Sequence, residues 1–181
     1  MSQQTWQETL ATNNGVVGPT ITALTITSAL PTHSVFTLPA NYLSVGKRFK
    51  VSAKGVMNTT ATTPGTLTAT INFGAVAVFV SQALALNIVA KVAVVWSLDL
   101  ELECISIGSG TLATMKSIGG FVSEALAGAA VGMGGAVSLP ASSPVAGTGF
   151  SSVTSVAVDL LFTQTVNNSM ILHAYKLESV N

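Results

Sequence analysis

Three carboxylates in one short stretch could support acid–base chemistry. Asp99, Glu101 and Glu103 alternate with apolar residues in Trp96–Cys104. Glycosidases use a pair of carboxyl groups that flank the bond to be broken. These three residues instead share one face of a single strand, about 7 Å apart per step. Such a row is more often a solvated face or one half of a cross-strand ion ladder.

A basic row of matching spacing precedes this acidic row. Arg48, Lys50 and Lys54 alternate with apolar or small residues, which predicts a half-buried strand over Arg48–Val56. Opposite charges on adjacent strands contribute roughly 0.2–1 kcal/mol per pair and help to set the register. We therefore predict that the two strands are neighbours, within one subunit or across an interface. The six charged residues and Trp6 are the candidate interface residues, and a simple solvated face is the alternative.

Other reactive side chains do not form a recognisable set. His33 and His173 lie far apart in the sequence, without a ligand set of metal-site spacing. There is no Gly-x-Ser-x-Gly elbow, acidic calcium loop or phosphate-cradling glycine loop. Cys104 lies in an apolar run, which is typical of a buried, inert thiol. We expect no catalytic residue, no metal site, no cofactor and no enzymatic activity.

The composition is poor in charge. Charged residues make up 8% of the 181 residues, seven basic against seven acidic, where about 25% is usual. This balance gives no basic field for nucleic acid. Hydrophobic residues reach 49%, yet the two most apolar windows, Ala75–Trp96 and Phe121–Leu139, are broken by polar residues, so no membrane span is expected. The first residues lack the pattern of a secretory signal. Large protein–protein interfaces are the alternative explanation for this composition.

The pattern of alternation predicts an all-β fold. We expect a single antiparallel β-sandwich, jelly-roll-like, at 20–181, preceded by an extended N-terminal arm at 1–19. Residues 121–150 are rich in Gly, Ala, Ser and Pro and are predicted to form a long loop with one short strand near Ala136–Leu139. This loop is either a surface insertion or a contact surface, and the arm is either disordered or docked on a neighbour through Trp6. The other predicted strands are Thr20–Ser28, Val35–Leu38, Arg48–Val56, Thr66–Phe73, Ala75–Val80, Trp96–Cys104, Thr111–Ile118, Val153–Thr165 and Ser169–Leu177.

Three segments carry a family resemblance. They are FTLPANYLSVGKRFKVSAKGVMNTT from Phe36, VVWSLDLELEC from Val94, and VDLLFTQTVNNSMILHAYKLESVN from Val158. Together they cover about half of the chain, and they resemble β-sandwich virion proteins of tailed bacteriophages. The resemblance implies a jelly-roll-like head-decoration, minor capsid or tail-associated protein, often trimeric.

These observations give one functional expectation and one alternative. We expect a structural virion protein, a capsid decoration (cement) or minor capsid subunit that stabilises the particle by protein–protein contacts. Its partners would be its own copies in a homotrimer and the major capsid protein or other virion subunits, with no nucleic acid and no membrane. It would be made in the host cytoplasm and reside on the virion surface. The alternative is a tail-associated receptor- or glycan-binding module, for which Tyr42 and Phe150 are the first aromatic residues to inspect.

Overall fold

The computed structural model describes residues 7–22, 24–129 and 134–180. In this part of the chain the only helical element is one short 3-10 turn, at Thr32–Ser34, so the all-β prediction is confirmed. The strands are β1 (Gln7–Thr12), β2 (Thr27–Ser28), β3 (Phe36–Leu38), β4 (Arg48–Thr59), β5 (Thr66–Phe73), β6 (Val76–Val80), β7 (Leu84–Ala85), β8 (Lys91–Ser106), β9 (Thr114–Ser123), β10 (Gly135–Leu139), β11 (Val156–Gln164) and β12 (Ser169–Val180).

The strands form two antiparallel sheets. Sheet I has the order β1-β12-β4-β8-β9-β10, and sheet II has the order β2-β11-β5-β6, with β3 also paired to β11 and β7 to β5. The strand pairs are nested, as in a hairpin that has been rolled up. The outermost pair is β1–β12, followed inward by β2 and β3 with β11, then β4–β8, and finally β5–β6. This winding is that of a jelly roll, confirming the expected β-sandwich. Strands β9 and β10 extend sheet I beyond β8.

The core follows from alternation along the long central strands. In β8, Trp96 and the alternate residues that follow it are buried, while the residues between them face solvent. The Trp96 ring stacks on Phe121 at 6.0 Å between centroids and meets the edge of Phe162 at 5.4 Å. Burying each large apolar side chain contributes roughly 1.5–3 kcal/mol. The aromatic cluster therefore fixes which face of sheet I points inward.

The predicted strand Thr20–Ser28 is mostly wrong. Only Thr27–Ser28 is a strand, and Ile21 makes an isolated bridge to Met170. The reason is that the two ends of this segment pair with different sheets. Gly18 and Ile21 hydrogen-bond to Leu172 and Met170 of β12, whereas Thr27 and Ser28 pair with β11, which ends two residues beyond Phe162. The residues between them cross from one sheet to the other and therefore lack a continuous strand partner.

The glycine pair at Gly119 and Gly120 does not end a strand, contrary to the prediction. Both residues lie inside β9, which begins at Thr114 and continues to Ser123. A Cβ atom at Gly119 would overlap the carbonyl oxygen of Asp99. Glycine is therefore required here by the close approach of β8 and β9. The predicted long loop accordingly starts after Ser123, and the short strand within it is confirmed as β10.

The last strand carries an irregularity that the sequence pattern did not reveal. The register of β12 on β4 shifts between Leu172 and Ala174, which is a β-bulge. Strict alternation over Ser169–Leu177 would place Ile171 and His173 on the same face as Tyr175, but the bulge separates them, because an extra residue reverses the alternation. Tyr175 points into the core, whereas Ile171 pairs with Val56 on the outer surface.

Candidate assembly surfaces

The acidic and basic rows lie side by side, so the prediction that their strands are neighbours is confirmed. In the β4–β8 register Arg48 is opposite Glu103 and Lys50 is opposite Glu101. The Arg48 Nη1 atom lies 3.0 Å from Glu101 Oε1, diagonally across the pair, and both side chains are about half exposed. The ladder is therefore built within one subunit. The role of these residues in an interface stays a prediction.

Further charges join the ladder from the strands on either side. Lys116 of β9 is opposite Glu103, and Lys176 forms an ion pair with Glu178 in β12. The Ser52 hydroxyl donates a hydrogen bond of 2.6 Å to Asp99 Oδ1. Of the seven basic and seven acidic residues, nine lie on this side of sheet I: Arg48, Lys50, Lys54, Asp99, Glu101, Glu103, Lys116, Lys176 and Glu178. Eight of them are exposed or partly exposed, whereas the Glu178 side chain is buried beside Lys176.

We call this surface, formed by the outward residues of β12, β4, β8 and β9, the ladder face. Its side chains form five rows that run across the strands. In order from one end, the rows are Ile171, Val56 and Val95; Ala174, Lys54, Ser97 and Val122; Lys176, Ser52, Asp99 and Gly120; Glu178, Lys50, Glu101 and Ile118; and Val180, Arg48, Glu103 and Lys116. The face is therefore apolar at one end and charged over the rest. Within the charged part, the β4 column is basic and the β8 column is acidic.

The other charged residues serve local roles or stand apart. Lys91 Nζ lies 2.6 Å from Glu124 Oε1, with the Lys91 side chain only 7% exposed. This pair ties the start of β8 to the segment after β9. Lys47 places its ammonium 3.9 Å from the centre of the Tyr42 ring, a cation–π contact. Apart from the ladder face, Glu8 is the exposed charge of the part of the chain that the structure describes.

Aliphatic side chains cover much of the surface that lacks charge. Seventeen large aliphatic residues are exposed among the described residues, led by Val92 at 80% and Val145 at 76%. Three of them, Val95, Ile118 and Val122, lie on the ladder face, and most of the others lie on loops or strand ends. One group precedes and opens β8 (Ile88, Val89 and Val92), and another closes and follows β8 (Ile105, Ile107 and Leu112). Single exposed aliphatics are ordinary, but groups of this kind mark contact surfaces.

The aromatic residues offer little to a sugar ligand. Phe150 is buried and meets Phe73 edge to face at 5.1 Å. The Tyr42 ring is half-buried between Lys47 and Phe49. No aromatic side chain is exposed in the part of the chain that the structure covers. The glycan-binding alternative therefore lacks an aromatic platform there. The predicted anchor Trp6 lies outside the described residues.

One surface recess contains asparagine side chains that are already hydrogen-bonded within the chain. A recess of about 250 Å³ at one end of the sandwich is lined by Asn58, Asn168 and neighbouring threonines. Asn58 bonds Ser169 and the backbone of Ala93, and Asn168 bonds the backbones of Thr60 and Pro64. These amides hold the loops in place, because their hydrogen-bonding atoms are satisfied within the chain. They are not arranged around a reacting atom.

The two histidines come together at one loop rather than at a metal. Asn13 donates a hydrogen bond of 2.7 Å to the carbonyl of His173, and its own carbonyl lies 3.3 Å from His33 Nε2. Residues 7–22, 24–129 and 134–180 contain no group of three or more His, Cys, Asp or Glu side chains placed to hold a metal ion. Across the same residues, no helix has the length and apolar character needed to cross a bilayer.

Burial is the main cause of the pKa shifts of three residues. It raises the pKa of the Cys104 thiol, whose residue is fully buried, so the thiolate is disfavoured. Burial also raises the pKa of Asp159, although the Ser28 hydroxyl donates a 2.7 Å hydrogen bond to its Oδ1 atom. The pKa of Tyr175 is raised by burial and, secondarily, by the charge of Asp159.

The described residues thus present two surfaces of distinct character: one charged sheet face with an apolar end, and loops with exposed aliphatic side chains. Comparison with family models, curated proteins and solved structures gives no match for this chain.

Proposed function

We propose that this protein is a structural, non-enzymatic subunit of a tailed-bacteriophage particle, a capsid decoration (cement) or minor capsid protein. It stabilises the particle by protein–protein contacts. Its partners are its own copies, in a homotrimer, and the major capsid protein or other virion subunits. It is exposed on the particle surface after synthesis in the host cytoplasm.

The observation that carries this proposal is that the few charges are concentrated on one sheet face while the loops expose many aliphatic side chains. Nine of the charged residues are concentrated on the ladder face, while the loops at the sandwich ends expose Val, Leu and Ile. A lone soluble domain with so little charge elsewhere would tend to associate. An assembly is stabilised when the same surface is buried between subunits, because each Å² of apolar surface removed from water contributes roughly 25 cal/mol.

The fold and the sequence resemblance support the same proposal. Jelly rolls are frequent among viral capsid domains but also occur in lectins, so the fold by itself does not select a function. The three segments that resemble phage virion proteins lie on β3 and β4, on β8, and on β11 and β12. These strands include the two that build the ladder and the strands that pair with β4 and β5.

The direct test is to locate the chain on particles. Antibodies raised against the recombinant protein should label the surface of tailed particles made from the genome that encodes it, and pre-immune serum should not. Light scattering after size exclusion should give the mass of a trimer. Absence of the chain from purified particles would overturn the proposal.

A pair of variants links this test to the aliphatic loops. Replacing Ile88, Val89 and Val92 by Asn should reduce particle binding without lowering the unfolding temperature, since these side chains are exposed. The matched control replaces Ser142 and Ser143 by Asn in another exposed loop. Equal particle binding by both variants would exclude this loop as a contact.

A further inference from the structure

The ladder face is complementary to itself. A two-fold axis parallel to the strands and midway between β4 and β8 would place β4 of one copy over β8 of the other. Each row then meets the same row of the second copy in reverse order. Arg48 lies over Glu103, and Lys50 lies over Glu101, while at the apolar end Val56 lies over Val95. An isologous contact requires such reciprocal pairing of unlike residues.

We infer that the ladder face binds a second copy of this chain, face to face, about this two-fold axis. The inference rests on the proposed role as an assembly subunit and names one surface through which copies meet. It concerns a contact separate from the aliphatic loops. If other surfaces build the trimer, the two-fold contact joins one trimer to another.

Charge selects this axis over the others. An axis along β4 would superpose basic side chains on basic ones, and an axis along β8 would superpose acidic ones. An axis perpendicular to the strands would bring Asp99 onto Asp99 and Lys50 onto Lys54. Like charges placed together cost several kcal/mol at an interface. Only the axis between β4 and β8 pairs both columns with their opposites.

The outer strands fit the same arrangement. Under this axis β12 lies over β9 of the second copy, because each is the next strand out from the central pair. Ala174 then meets Val122, and Ile118 lies over the position of Glu178, which is buried in its own chain, so no like charges coincide in any row. Lys176 meets Gly120, where the missing side chain leaves room for a long one.

Unpaired charges on the ladder face gain partners in the pair. Within the described residues Arg48 bridges Glu101, but Lys50 and Glu103 have no ion pair. The second copy supplies Glu101 for Lys50 and Arg48 for Glu103. Each such contact occurs twice because of the two-fold symmetry. The charge pattern therefore fits a second copy better than it fits a partner of uniform charge.

The size of the face suits a modest interface. Four strands spaced about 4.8 Å apart and five rows about 6.8 Å apart cover roughly 650 Å². A standard interface buries about 800 Å² per partner. The apolar end contributes Val95, which is 67% exposed, and Val122, which is 41% exposed. Since the charged rows lose hydration on contact, the pair should be weak and should dissociate as salt is raised.

Two charge-reversed variants test the geometry. The first variant, Glu101→Lys with Glu103→Lys, makes both columns basic, and the second, Arg48→Glu with Lys50→Glu, makes both acidic. Each variant alone should lose the pairing, which raises the dissociation constant about a hundredfold or more. A mixture of the two should pair again, because every basic column then meets an acidic one. Sedimentation velocity of the full chain in low salt (about 20 mM) and high salt (about 500 mM) measures the masses.

A control matches the first variant in net charge. Glu8→Lys with Ser142→Lys and Ser143→Lys adds the same four positive charges at exposed positions off the ladder face. This control should pair like the wild type, and circular dichroism checks that each variant is folded.

Three results would overturn the inference: a wild type whose mass is the same in low and high salt, a first variant that keeps the wild-type mass, or a mixture that does not pair. Particle labelling tests the proposed function separately, so either idea can fail alone. A chain found on particles but indifferent to these reversals would retain the assembly role and lose the two-fold contact.

Discussion

Truncation of the central tryptophan tests the register of the β4–β8 pair on which every surface described above depends. Trp96 is fully buried, stacks on Phe121, and donates an indole hydrogen bond of 3.2 Å to the carbonyl of Val56. Its chain neighbour Val95 is 67% exposed on the opposite face of the same strand. A slip of one residue would exchange the two environments. Trp96→Ala and Val95→Ala should therefore have very different costs.

The magnitude follows from what each side chain touches. Replacing a buried Trp by Ala costs about 3–5 kcal/mol, and the lost hydrogen bond adds about 1 kcal/mol. The total of roughly 4–6 kcal/mol is a large part of the 5–15 kcal/mol by which domains are usually stable. Trp96→Phe keeps a ring against Phe121 and should cost only about 1–2 kcal/mol. Val95→Ala should cost less than about 1 kcal/mol, because little contact is removed.

Urea unfolding followed by circular dichroism gives these free energies. High salt and dilute protein keep association from contributing. The dependence on urea concentration should keep the same slope in all variants, so that midpoint shifts report stability alone. A cost below about 2 kcal/mol for Trp96→Ala, or an equal cost for Val95→Ala, would refute the proposed register.

Three further outcomes are expected from equilibrium unfolding. Lys91→Met should cost about 2 kcal/mol by removing the 2.6 Å ion pair with Glu124, and adding Glu124→Gln should recover part of this loss; full additivity of the two would contradict the ion pair. Burial raises the pKa of folded Asp159, so stability falls as pH rises from its unfolded pKa of about 4 through the folded value. Asp159→Asn should therefore be more stable than the wild type at neutral pH, with the gap closing in acid, and a constant gap across pH would count against the shift. Gly119→Ala should destabilise by about 3 kcal/mol or more, since its Cβ would overlap the Asp99 carbonyl, whereas Ala at exposed Gly74 in its open turn should cost less.

The long strands could be predicted from the alternation of apolar and polar residues, whereas the bulge in β12 and the role of Gly119 could not. The runs that became β4, β5 and β8 alternate strictly, and burial of one face requires the structure that they adopt. The bulge after Leu172 leaves no such mark, because one extra residue only reverses a pattern that was already apolar on both sides. Gly119 is equally ambiguous, since a glycine that ends a strand and one that admits a close neighbour have the same sequence signature.

The candidate interface residues also divide into those that the sequence predicted and those that it did not. The charge rows at Arg48–Lys54 and Asp99–Glu103 could be matched from spacing alone, because each strand presents one kind of charge. The positions of Lys116, Lys176 and Glu178 on the same side of the sheet could not be predicted, since they depend on which strands lie beside β4 and β8. Sheet order in a jelly roll joins residues from opposite ends of the chain, and no local pattern encodes it.

The stability of the fold does not explain why the charges are concentrated on one face. Exposed ion pairs such as Arg48–Glu101 contribute about 0–1 kcal/mol each, so the ladder adds little to the free energy of unfolding. The β4–β8 register is already set by the buried side chains on its inner face. A chain with few charges could have spread them for solubility, yet it arranges them in two columns of opposite sign. Two columns of opposite sign repel a copy of themselves in most orientations and attract it in one, which is the property that the proposed two-fold contact requires.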